Sequence, residues 1–258
     1  MRLSRPEPRR PTADVHHDRA GLARVRSFGT VRLQGRRHLV VLVPGLGAPG
    51  YLLSTADRCA RSGPVRVLDV PGFEDPLGPA CAVTLGSLAD TVARWLAEVA
   101  PAPVVLAGHS TGAQVALHAA AHRPDRVAAL VLLAPTFPPH LRRTGPLVRA
   151  FARTALHESP GVLPAVLPAY LKAGPRRLTA CVRSAQSDAP EQLMPALHCP
   201  VTVAVGEHDA LSPPHWADRL ASRTSHGRVV LVPGAHSFPH TSAEITAVVL
   251  EQAGTGLP

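Results

Sequence analysis

Residues 103–113 read Pro-Val-Val-Leu-Ala-Gly-His-Ser-Thr-Gly-Ala, an apolar run that breaks at Gly108-His109-Ser110-Thr111-Gly112 and continues as a helix-like segment, Gln114 to Ala120. A strand that becomes a helix within so few residues must turn sharply at its centre. Side chains at the two flanking positions would collide with the neighbouring strand and helix, so glycine is needed at both. The strained turn pushes the Ser110 hydroxyl out at the top of a sheet, with a helix N-terminus behind it. This placement suits a serine nucleophile. An ordinary glycine-rich strand-to-helix turn is the alternative.

The chain around this turn alternates strand-like and helix-like segments, which predicts an α/β fold with a mostly parallel sheet flanked by helices on both faces. Apolar runs at His38 to Val43, Val65 to Val70, Arg126 to Leu133, Pro200 to Val205 and Arg228 to Val232 read as strands, and Val31 to Leu33 as an outer one. Leu88, Val92, Trp95, Leu96 and Val99 recur at helical spacing. Residues 137–199 carry no strand signal and are too long for an ordinary loop, so they read as a helical insertion. The division is then a leader over 1–28, a core over 29–136 and 200–258, and the insertion between the two parts of the core.

The net charge of +9 sits mostly at the N-terminus, where residues 1–37 hold ten arginines and three acids. The other 221 residues carry only +2, so the charge does not describe a nucleic-acid-binding surface, and no nucleic-acid partner is expected. The leader is rich in Pro and Arg and is expected to be disordered. No apolar run approaches the roughly 18 residues of a membrane span, and none follows Arg9-Arg10, so a cytoplasmic protein is expected. Cys59, Cys81, Cys181 and Cys199 lie far apart, without the spacing of a zinc site, and no cofactor or metal is expected.

A serine hydroxyl needs a base, the base needs an orienting acid, and the developing oxyanion needs donors. Ligand groups of open α/β sheets gather at the carboxyl ends of strands. One late strand ends in Gly206-Glu207-His208-Asp209, the next in Pro233-Gly234-Ala235-His236-Ser237-Phe238-Pro239-His240. Acid and histidine thus follow the serine in the order Ser, Asp, His. An early strand ends in Gly45-Leu46-Gly47, a turn suited to presenting a backbone N–H.

Together these features resemble the α/β-hydrolase superfamily over roughly residues 30–255. The resemblance implies Ser110 as nucleophile, His236 as general base and acid, and Asp209 as orienting acid. It implies an oxyanion hole built from the N–H groups of Leu46 and Thr111, and a cap formed by residues 137–199. Glu207 is a rival to Asp209, and His240 a rival to His236. Asp69 resembles the acid of the family's Asp-x-Pro-Gly turn and is expected to be structural. His109 stands where many members carry histidine, and packing or pocket lining is its expected role. The family's frequent His-Gly at the oxyanion turn is Pro44-Gly45 here, which removes the side-chain support.

A serine at position 110 excludes relatives that use an aspartate nucleophile. The expected reaction is hydrolysis of a carboxylic ester through an acyl-enzyme intermediate, on a small-molecule ester or thioester. Thioester hydrolysis or acyl transfer on the same fold is the alternative, and a non-catalytic ligand-binding member is the alternative of a different class. The cap segment has eight cations, among them Arg149, Arg153 and Lys172, against Glu158, Asp188 and Glu191. Such a balance can steer an anionic substrate or an acidic carrier protein.

Overall fold

The strands are β1 (Val15–Ala20), β2 (Ala23–Phe28), β3 (Val40–Val43), β4 (Val65–Asp69), β5 (Val104–His109), β6 (Val127–Leu133), β7 (Val201–Gly206) and β8 (Gly227–Val232). They form one sheet in the order β1-β2-β4-β3-β5-β6-β7-β8, parallel from β4 onward, with β1 and β2 antiparallel at one edge. The structure, a computed structural model, describes residues 14–29 and 38–255. The strand expected at Val31 to Leu33 lies outside the described residues.

The helices are α1 (Leu53–Cys59), α2 (Leu85–Glu98), α3 (Thr111–His122), α4 (Thr144–Ala155), α5 (Leu163–Gln186), α6 (Pro190–Leu193), α7 (Pro214–Ala221), α8 (Phe238–Thr241) and α9 (Ala243–Gly254). Strands β3, β5 and β7 are buried along their whole length, as continuous apolar runs must be when helices cover both faces. Alternate residues divide between two cores. Val41, Val43, Leu106 and Leu132 pack with Val92, Trp95, Leu96, Val115 and Trp216 of α2, α3 and α7. Val40, Leu42, Val105 and Leu133 pack with Ala56, Ala247 and Leu250 of α1 and α9. Between β6 and β7 the chain is helical, with α4, α5 and α6, and α5 bends at Gly174 (φ 72°) before Pro175. No helix of the described residues is long and apolar enough to cross a membrane.

The sequence predicts a disordered leader over 1–28, but residues 15–28 are an ordered hairpin. Gly21-Leu22 forms its two-residue turn, with Gly21 at φ 59°, the left-handed geometry that favours glycine at such turns. The polar residues that suggest disorder have partners. The Arg26 guanidinium contacts Asp69 Oδ2 of β4 at 2.5 and 2.7 Å. Trp95 Nε1 of α2 donates to Asp18 Oδ2 at 3.0 Å, and the Gly21 N–H donates to Glu98 Oε2 at 2.7 Å. Val25 and Ser27 face the interior. Burial pushes the Asp69 carboxyl up to about 6, and Arg26 holds it from rising further.

Removing one member of a buried ion pair leaves the other charge without compensation. Arg26→Ala is therefore expected to destabilise the protein by about 3–5 kcal/mol in chemical denaturation. Exposed Arg24→Ala on the same strand should stay within about 0.5 kcal/mol. Equal effects of the two would mean that the pair does not hold the hairpin.

Candidate active site

Ser110 follows β5 directly, at φ 58° and ψ −125°, and its N–H donates to the Leu133 carbonyl at 2.9 Å. The two glycines of the turn are fixed by close approach. A Cβ on Gly108 would overlap the Gly112 carbonyl, and one on Gly112 would overlap the carbonyls of Val43 and Pro44. The turn can therefore form only where backbone meets backbone. The Ser110 side chain leaves the sheet at the N-terminus of α3.

His236 lies in the loop after β8. Its Nε2 is 2.9 Å from Ser110 Oγ, and its Nδ1 is 2.8 Å from Asp209 Oδ2 in the loop after β7. Asp209 is buried, and its Oδ1 accepts the N–H groups of Leu211 (2.8 Å) and Ser212 (3.1 Å). That leaves Oδ2 for the imidazole. The chain of bonds is satisfied when Nδ1–H donates to Asp209 and Nε2 accepts from the Ser110 hydroxyl. Burial opposes ionisation of both groups and is outweighed by their mutual attraction and hydrogen bond. Asp209 is held below the usual carboxylate range, with the Ser212 and Leu211 N–H groups helping, and His236 is held above the usual histidine value.

The rivals lie elsewhere. Glu207 is exposed, and its backbone N–H donates to the Val232 carbonyl. His240 Nδ1 meets the Tyr51 carbonyl at 3.2 Å.

The turn Gly45–Gly47 packs on Ser110 so closely that a Cβ on Gly45 would sit 2.8 Å from Ser110 Cβ. Leu46 adopts φ 47°, and its N–H donates to Thr111 Oγ1 at 2.9 Å, so it points at the turn around Ser110. Thr111 opens α3, where first-turn N–H groups have no partner within the helix. Both expected oxyanion donors therefore lie beside Ser110.

Sequence reasoning misses two contributors. Tyr51 Oη accepts the Gly45 N–H at 2.8 Å, which supplies the side-chain support that Pro44 cannot give, and it contacts His109 Nδ1 at 2.7 Å. Glu158, between α4 and α5, accepts the Ser237 N–H at 2.8 Å and so ties the helical insertion to the loop that carries His236. Neither residue belongs to a local motif. Their only signal is that the chain has just two tyrosines and that Glu158 is an acid in a basic segment.

The sequence profile described as "Alpha/beta hydrolase family" matches residues 40–249, most of the chain and all of the residues assembled at this site. The chain belongs to the alpha/beta hydrolase family. A curated relative from Neisseria meningitidis serogroup B, named pimeloyl-(acyl-carrier protein) methyl ester esterase, is 28% identical over 231 residues, covering 79% of this chain and 87% of the relative. A thermophilic esterase from Thermogutta terrifontis superposes with a TM-score of 0.70 at 24% identity, covering 93% of this chain and 97% of the other. The enol-lactonase from Burkholderia xenovorans LB400 superposes at 0.68 with 14% identity, covering 91% and 98%. At these identities the structural likeness is one of fold.

In this alpha/beta hydrolase the histidine before Ser110 is buried, and both its ring nitrogens have partners: Tyr51 Oη at Nδ1 and the His236 carbonyl, 2.8 Å away, at Nε2. Burial, assisted by the neighbouring His236, holds His109 down at about 3. A ¹⁵N NMR titration should therefore find the His109 ring neutral throughout the range in which exposed histidines titrate. A His109 midpoint near 6.5 would contradict the geometry.

Proposed function

We propose that this alpha/beta hydrolase cleaves carboxylic esters through an acyl-enzyme intermediate, with Ser110 as nucleophile, His236 as general base and acid, and Asp209 as orienting acid. The unbroken chain from Asp209 Oδ2 through His236 to Ser110 Oγ, at 2.8 and 2.9 Å, carries this reading. Ser110 Oγ attacks the ester carbonyl carbon while its proton passes to His236 Nε2. The oxyanion is stabilised by the Thr111 N–H and by the Leu46 N–H, which turns to it from its Thr111 Oγ1 acceptor. Collapse expels the alcohol, protonated by His236, and leaves the acyl group on Ser110. Water, deprotonated by the same imidazole, then releases the acid and restores the hydroxyl. The esterase name of the Neisseria relative agrees with this chemistry.

An acyl group presented by an acidic carrier protein is a second reading. The Neisseria relative's name refers to such a carrier. Arg149 and Arg153 of α4, with His140, line a cavity of about 450 Å³, and neither arginine has an acidic partner among the described residues. If a carrier docks there, kcat/KM for a carrier-bound ester will fall with salt more steeply than for the free ester. The four cysteines are unpaired, which fits a reaction in the cytoplasm.

The tests are direct. A fluorophosphonate should label the wild type and not Ser110→Ala; an unlabelled, folded wild type would end the proposal. His236 must be neutral to accept the serine proton, and its affinity for protons is raised. The acid limb of kcat/KM should therefore lie above the ordinary histidine value of about 6.5. Asp209→Asn should move that limb to lower pH and reduce kcat by about 10⁴. A limb that stays in place would remove Asp209 from this role.

A further inference from the structure

We propose that Tyr51 and His109 are positioning residues, a neutral hydrogen-bonded relay that fixes the oxyanion turn relative to the loop of the base. This rests on the assignment of Ser110, His236 and the Leu46 N–H given above. Three contacts are in series: Gly45 N–H to Tyr51 Oη at 2.8 Å, Tyr51 Oη to His109 Nδ1 at 2.7 Å, and His109 Nε2 to the His236 carbonyl at 2.8 Å.

One arrangement of protons satisfies the whole series. The Gly45 N–H can only donate, so Tyr51 Oη accepts it and gives its own proton to His109 Nδ1. Nδ1 must then be bare, so the ring proton is on Nε2 and points at the His236 carbonyl, which can only accept. Protonating His109 would put a second N–H against the tyrosine and leave the hydroxyl proton without an acceptor. Burial disfavours the charged forms of both rings and pushes the tyrosine hydroxyl far above its ordinary value. The rings are also held sterically. Tyr51 meets His109 edge-on at 5.2 Å, and Phe238 meets it edge-on at 6.3 Å.

Both ring nitrogens of His109 are occupied, so it cannot serve as a base. Its ring centroid is 5.0 Å from that of His236, yet its bond goes to the backbone, which positions that loop without competing for Asp209 or Ser110. At the other end, the anchored Gly45 N–H sets the start of a turn whose next residue, Leu46, is in the left-handed region. Oxyanion donors act only when preorganised at the position of the developing charge. With proline at position 44, the Tyr51 hydroxyl fixes the start of that turn.

Tyr51→Phe keeps the ring and removes the hydroxyl. His109→Gln keeps an N–H for the His236 carbonyl and breaks the link to Tyr51. On an ester substrate, each should lower kcat on the order of 10–100-fold with KM within about threefold, because the loss is of geometry in the transition state. The double variant should be little worse than the worse single one, because both break the same series. Affinity for a boronic acid that mimics the tetrahedral adduct should fall in parallel with kcat. Wild-type kcat in both variants, or a loss confined to KM or to thermal stability, would overturn the relay. If Tyr51→Phe does not fold, His109→Gln carries the same test.

The ¹⁵N signal of His109 separates this proposal from the esterase assignment. In Tyr51→Phe, the Nδ1 resonance should move toward the value of an unbonded, unprotonated nitrogen. An unmoved resonance would overturn the relay even in an active enzyme. If the wild type hydrolyses no ester, the assignment of function fails, and the relay is decided by this resonance alone.

Discussion

The Ser110 backbone lies in the left-handed region, where a residue with a Cβ is strained by about 1–3 kcal/mol. The conformation persists because Gly108 and Gly112 bring main chain against main chain on both sides of it. Gly112 approaches the carbonyls at the end of β3, so the turn at Ser110 packs directly against the turn that presents Leu46. The site is thus positioned chiefly by backbone contact, and the side chains complete a geometry that the glycines permit.

Two buried aspartates at strand ends show how partners decide charge. Asp209 has two backbone N–H donors on one oxygen and an imidazole on the other, and its ionised form is favoured despite burial. Asp69 has one guanidinium on one oxygen and, among the described residues, no partner on the other, and burial wins, raising it to about 6. The first arrangement maintains an anion beside a histidine. The second joins an edge hairpin to the sheet. The residue type is the same, and the number of donors differs.

The strands and the polar residues at their ends, which the fold brings together, are legible because each feature is local. Apolar runs in a parallel sheet are continuous, and a polar residue just past a run stands out, as Asp209 and His236 do. Residues 15–28 misled because an edge hairpin needs few apolar residues. Arg26, Asp18 and His17 are paired across long sequence separations that composition cannot register. The signal available was the alternation of Arg24-Val25-Arg26-Ser27 after Gly21-Leu22. Tyr51 escaped for a related reason. Its partners are Gly45 and His109, and only the fold brings the second of these, 58 residues away, to its hydroxyl.

Glu158 joins two parts of the molecule that have different tasks. Its carboxylate accepts the N–H of the residue after His236, and its charge adds to the proton affinity of that imidazole. The segment between α4 and α5 is thus mechanically and electrically attached to His236. Any displacement of this segment away from the loop would also withdraw a negative charge from His236. The position of that segment and the proton affinity of His236 are, in this chain, coupled through one carboxylate.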